Sequence, residues 1–273
     1  MENKFPLRFF VFTFLWSWFF WGIAILLGNG NFQDLSELIT STGIESPLMI
    51  IGIFGPAFGA FVSLRTINGK GSIKPFLKSF LSLKFGWKVW LSIFLILGLS
   101  SFIAWIIPEF FGHDRIQTYL PNVYIFPVYL LLTVFFMGGQ EEIGWRGYIL
   151  PFLEKRLGLI IGSLALGIIW AIWHLPLWFI PGTAQGFYDF FPFMLCCIGY
   201  SYFLSWVIKA SGNRLLSGLF AHGTANAFAP LFPTVIMEHN VSQIRLWIYV
   251  SLILIIGIII VSIRTIKERK TST

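Results

Sequence analysis

Eight apolar runs, each near the roughly 20 residues needed to cross the hydrocarbon core of a bilayer, constrain this chain more than any other feature. They extend approximately over Phe5–Gly28, Leu48–Thr66, Trp87–Ile107, Val123–Gly139, Leu159–Ile180, Phe190–Lys209, Leu215–Leu231 and Leu246–Ile263. Inside lipid a backbone of this kind satisfies its own hydrogen bonds as helix. The expected fold is therefore all-α, a polytopic membrane domain of about eight transmembrane helices. A composition of 56% hydrophobic and 11% charged residues also lies outside the soluble range. The first run is longer than a signal-peptide core and lacks a small-x-small cleavage site before the acidic segment after it, so it is expected to be a retained helix. No repeat, low-complexity tract or soluble appended domain is visible, which favours one transmembrane domain over residues 1–273.

Alternate connections between the runs differ sharply in Lys and Arg. One side collects Lys4, Arg8, Arg65, Lys70, Lys74, Lys78, Lys84, Lys88, Lys155, Arg156, Lys209, Arg214, Arg264, Lys267, Arg269 and Lys270. The other has only Arg115 and Arg245, beside Asp34, Glu37, Glu45, Glu109, Asp114, Asp189 and Glu238. Because cytoplasmic loops carry the excess of positive charge, both termini are expected in the cytoplasm. The formal charge of +7 is explained by this topology and by anionic headgroups, and no nucleic-acid partner is expected. Cys196 and Cys197, adjacent in an apolar run, suit neither a disulfide framework nor a metal clip and are read as packing residues.

Against this apolar background the segment GGQEEIGWRGYIL carries Glu141, Glu142 and Arg146. Charges in lipid cost roughly 2.5–3.5 kcal/mol each on insertion scales, so such groups usually face a cavity and serve chemistry or transport. The fourth helix is expected to continue through this motif. Glu142 and Arg146, four apart, share a helix face and can pair; Glu141 points about 100° away and is left as the candidate reactive carboxylate. Interfacial snorkelling of the whole cluster is the alternative. Two later runs each carry one histidine. His174 follows Trp170 by one turn and precedes Pro176, which cannot donate to the carbonyl of Ile172. Trp170 is read either as a residue that packs on or orients the imidazole or as lipid-facing filler. His222 and Asn226 share a face, and Gly218, Ala221, Gly223, Ala225 and Ala227 keep the surrounding surface small enough for close approach of another helix. His113 and His239 fall in external connections and are read as surface residues.

The ordered set Glu-Glu-x-x-x-Arg, aromatic-x-x-x-His and His-x-x-x-Asn resembles the CAAX prenyl protease type II and bacteriocin-processing (Abi, or lysostaphin-resistance protein A-like) family. The resemblance covers a catalytic core over residues 123–231 and departs from the usual pattern at Trp170, where phenylalanine is commoner. It implies an eight-helix intramembrane endopeptidase with a cavity open to the cytoplasm, in the cell membrane. Glu141 and His174 would activate the attacking water, and His222 with Asn226 would stabilise the oxyanion. Glu142, Arg146 and Trp170 would support them. The bottom-up reading is compatible, since imidazole and amide donors can meet developing negative charge.

Glu141, His174 and His222 could alternatively supply a His₂Glu zinc set. The chain has no H-E-x-x-H, and neither histidine has a carboxylate nearby in sequence to hold its other ring nitrogen. No cofactor is therefore favoured, with zinc as the alternative. The expected partners are the lipid bilayer and a membrane-embedded or lipid-anchored protein or peptide substrate, in CAAX-type processing, peptide maturation or bacteriocin self-immunity. A transporter or proton relay would use similar buried groups, but the inverted repeat that would favour it is not visible. A non-catalytic immunity or binding protein is the third reading.

Overall fold

The computed structural model describes residues 5–29, 47–68, 70–78 and 86–272, and every regular element among them is helical. Lys4, Asp34, Glu37, Glu45 and Lys84 of the charge argument lie outside the described residues. The helices are α1 (Leu7–Asn29), α2 (Pro47–Ile53), α3 (Gly55–Asn68), α4 (Ile73–Lys78), α5 (Trp87–Ile106), α6 (Phe126–Phe135), α7 (Leu150–Trp173), α8 (Phe190–Ala210), α9 (Leu215–Leu231) and α10 (Ile244–Ser272).

The outer surfaces show which solvent these helices are built for. Along α5, Leu91, Leu95, Leu99 and Phe102 are exposed while Val89, Ile93, Leu97 and Ala104 are buried. That is helical spacing with an apolar residue on both faces. A water-soluble protein does not expose such stripes, whereas a lipid-facing helix does. The chain is a multi-pass integral membrane protein.

Five helical stretches among the described residues are long and apolar enough to cross a membrane: Leu7–Gly28, Trp87–Phe111, Val123–Phe179, Phe190–Ala210 and Ile244–Lys267. The α2–α3 pair, bent by 41°, makes a sixth. The bend lies where Pro56 leaves the carbonyl of Gly52 without its helical donor. Ser17 Oγ of α1 takes up that carbonyl at 2.7 Å, and Trp16 Nε1 donates to Ile51 O at 2.8 Å. The 57-residue stretch Val123–Phe179 takes in both the fourth and the fifth expected spans. The seventh expected span is α9, whose 17 residues reach about 25 Å at 1.5 Å per residue.

One boundary differs from the sequence expectation. The fourth span does not run on as helix through the charged motif; α6 stops at Phe135, and a break at Gly138 (φ 126°) follows. The fifth expected span agrees: Gly158 (φ 76°, ψ 167°) breaks α7 into a first part from Leu150 and a second part that begins at Leu159, where the span was expected. Lys155 and Arg156 therefore sit in α7 just before this kink, not in an open loop.

The centre of the bundle is α8, the most enclosed of the spanning stretches, which packs against α7, α9 and α10. Cys196 and Cys197 are buried free thiols on it. At one end of the bundle Lys209 pairs with Glu154 at 2.6 Å, joining two of the basic connections. Elsewhere, in a segment expected on the other side, Arg115 donates to the Glu109 carboxylate from both Nε and Nη2. Arg245, expected in an external connection, is instead buried in the first turn of α10. Its Nε donates to Trp105 O at 3.0 Å and its Nη2 to Asp114 O at 2.6 Å. A guanidinium thereby takes up a carbonyl at the C-terminal end of α5, where cations are stabilised. His113 and His239 are exposed.

Candidate active site

The Gly-Gly pair at 138–139 reshapes the chain into the site. Gly138 N–H donates to Gln140 Oε1 at 3.0 Å, and Glu141 N–H donates to Gly138 O at 2.9 Å. A single 3₁₀ turn (Gly139–Glu141), one α turn (Glu142–Gly144) and a π-helical turn (Trp145–Ile149) then lead into α7. π-Turns of this kind recur at functional sites. A side chain at Gly138 is excluded twice. Its φ lies in the region that favours glycine, and a Cβ there would stand 2.2 Å from Asn226 Nδ2 and 3.0 Å from His222 Nε2.

Glu141 and Glu142 are both buried and have different partners. Glu141 Oε2 accepts a hydrogen bond from Trp170 Nε1 at 2.7 Å. Glu142 Oε1 accepts from Arg146 Nη1 at 3.0 Å and meets His222 Nδ1 at 2.9 Å, with the Glu142 and Arg146 side chains wholly buried. The helical pairing expected of Glu142 and Arg146 is present. The contact with His222 was invisible in sequence because it spans 80 positions. It gives His222 the carboxylate partner that nothing nearby in sequence offered.

These contacts fix the ring tautomers. Glu142 Oε1 already accepts from Arg146, and as an acceptor towards His222 it places the hydrogen on Nδ1, with Nε2 facing Gly138 and Asn226. His174 Nδ1 lies 2.8 Å from Trp170 O. A carbonyl also only accepts, so this nitrogen is protonated and Nε2 holds the lone pair of the neutral ring. The carbonyl is available because His174 N–H turns back to Ala171 O as α7 ends. His174 is half-buried, with Trp21, Trp170, Trp173 and Phe193 around its ring. Trp18 Nε1 donates to Trp173 O at 2.9 Å and ties α1 to this turn.

Trp170 is the hub that the sequence left undecided. Its indole donates to Glu141, lies 5.1 Å from the His222 ring and 5.6 Å from the His174 ring by centroid, and carries the Arg146 guanidinium 4.8 Å above its face. It orients the carboxylate through its side chain and His174 through its carbonyl. A phenylalanine here would keep the packing but not the indole donor. Asn226, half-buried, donates from Nδ2 to Met137 O at 2.8 Å and so holds the Gly138 turn; its second amide hydrogen is not used by that bond. Gly223, beside His222, lets α9 approach α6 closely: a Cβ there would lie 2.5 Å from Val134 Cα, and Thr133 Oγ1 donates to Gly223 O at 2.8 Å.

The alternative zinc set was tested against this geometry. Glu141, His174 and His222 make no hydrogen bonds to one another among the described residues; Trp170 holds the first two, by its indole and its carbonyl, and Glu142 holds the third. No three Asp, Glu, His or Cys side chains among the described residues are grouped to hold a metal ion. In this arrangement the three residues do not fit a zinc centre.

The fold brings carboxylates and imidazoles from three sequence-distant segments into one buried setting within a lipid-facing helical bundle. Residues 123–228 match the family model described as Type II CAAX prenyl endopeptidase Rce1-like. A relative from Methanococcus maripaludis, CAAX prenyl protease 2, is 23% identical over 235 residues, covering 81% of this chain and 82% of its own length. These two likenesses support a membrane protease, a hydrolase acting on peptide bonds.

Proposed function

We propose that this protein hydrolyses peptide bonds of membrane-embedded or lipid-anchored proteins or peptides, with Glu141 and His174 as the water-activating pair and no metal ion. The observation that carries the reading is Trp170, which holds Glu141 by its indole and His174 by its carbonyl. Water gives a proton to this pair, and its oxygen adds to the scissile carbonyl carbon. The negative charge that develops on the carbonyl oxygen is met by His222 and by the spare hydrogen of Asn226. Collapse of the tetrahedral intermediate breaks the C–N bond, and the proton returns to the leaving amine. Donation from His222 Nε2 requires a doubly protonated ring, because Nδ1–H is already directed at Glu142. The Glu142 carboxylate is the counter-charge for that imidazolium and for Arg146.

Prenylated CAAX tails are the substrate class suggested by the Methanococcus maripaludis relative, with peptide maturation and bacteriocin self-immunity as other settings. The basic-residue asymmetry supports cytoplasmic termini, and the polar motifs lie within 123–231, the catalytic core of a single domain in this reading. Membrane peptides released by cells carrying the wild type and by cells carrying Glu141→Ala identify the substrate. Peptides present only with the wild type are expected, and identical peptide sets would contradict the proposal.

A further inference from the structure

A second feature lies away from the catalytic residues, at the basic end of the bundle. The N-terminus of α5, the C-terminus of α8 and the far part of α10 enclose a groove of about 360 Å³. Lys88, Arg264 and Lys267 line it, and Trp206, Ile260 and Ser92 form its inner part. Lys88 is the second residue of α5, while Ala210, also in the wall, is the last of α8. The cations therefore stand where these helices leave the apolar layer, and the groove passes from charge to hydrocarbon along one wall.

We infer that this groove binds an anionic phospholipid, its phosphate at Lys88, Arg264 and Lys267 and an acyl chain along Ile260 and Trp206. Three basic residues lining one groove favour an anionic headgroup at the bilayer surface, and basic pockets between transmembrane helices are a known form of such recognition. The apolar inner wall distinguishes a lipid from a free anion, which would gain nothing from it. An indole at the boundary between headgroup and chain suits the amphipathic position that tryptophan favours in membranes. Because the lipid touches α5, α8 and α10 together, its binding links three helices at this end without touching Glu141 or His222.

Binding is measured by native mass spectrometry on the full chain in detergent, titrated separately with phosphatidylglycerol, phosphatidylcholine and inorganic phosphate. Phosphatidylglycerol is expected to bind preferentially. Lys88→Gln alone should weaken its binding about fivefold, and Lys88→Gln with Arg264→Gln and Lys267→Gln about a hundredfold, from roughly one kcal/mol per cation at an anionic surface. A control with Arg8→Gln, Lys74→Gln and Lys78→Gln removes the same charge elsewhere and should retain most of the affinity. Equal weakening by both triple variants would show diffuse attraction only and overturn the site. Equal binding of the two lipids, or inorganic phosphate competing as well as phosphatidylglycerol, would overturn it as well. Lys88→Gln sits at an exposed helix start and keeps the test interpretable if the triple variant fails to fold.

Discussion

Glu142 carries two buried contacts on one oxygen, so charge removal at this position has a calculable signature. In Glu142→Gln the side chain keeps its shape and can still place an amide oxygen near Arg146 Nη1 and His222 Nδ1, which now lie 3.0 Å and 2.9 Å from Oε1. What it loses is the negative charge opposing a guanidinium that is wholly buried. Removing one partner of a buried pair costs about 3–5 kcal/mol, because the remaining charge is left uncompensated. Arg146→Met should cost slightly less than this, since Glu142 keeps His222. The double variant removes both charges and should recover most of the loss, giving a coupling energy of about 2–3 kcal/mol between the two positions. Activity should not recover with it, because the double variant still lacks the carboxylate that holds His222. Denaturant unfolding in detergent gives the stabilities, and peptide cleavage by the same preparations gives the activities. Additive losses in the double variant would refute the paired-charge account; recovery of activity together with stability would refute the role of Glu142 towards His222.

Three further outcomes follow from other parts of the site. Gly138→Ala places a methyl group against Asn226 Nδ2 in a backbone conformation that strains it by about 1–3 kcal/mol; turnover should fall on the order of 10²-fold in protein that still inserts, and normal turnover would show that the Gly138 turn does not shape the site. Asn226→Ala should lower turnover by about 10²–10³ with much less effect on KM, while the wild type contains substoichiometric zinc and keeps its activity under a strong chelator; activity lost on stripping and restored by zinc would favour the alternative metal mechanism. Reporter fusions after Gly112 and Gln185 should read as external and those after Gly71 and Ser211 as cytoplasmic, and an external signal from Gly71 would reverse the proposed orientation.

The helical character of the chain was legible because lipid leaves the backbone few alternatives, and the polar motifs stood out because their background is so apolar. The Glu142–Arg146 pair was legible for a local reason, its four-residue spacing. Contacts between segments were not. Glu142 meets His222, and Glu141 meets Trp170 29 positions away, through packing that periodicity does not encode. The break before the motif did have a local signal, the Gly138-Gly139 pair, but hydropathy carried the fourth helix through it. Arg245 was misplaced for a related reason: positive charge near a span end reads as loop, although a buried guanidinium can close the carbonyls of a neighbouring helix.

The central claim is that Glu141 is the carboxylate that activates water. Glu141→Gln preserves size and an oxygen for the Trp170 indole while removing the base, so the variant should unfold within a few degrees of the wild type. Its release of the peptide that wild-type cells release, from the same precursor, should fall by about 10²–10⁴. Purified, folded Glu141→Gln protein releasing that peptide from its precursor at the wild-type rate would contradict the account.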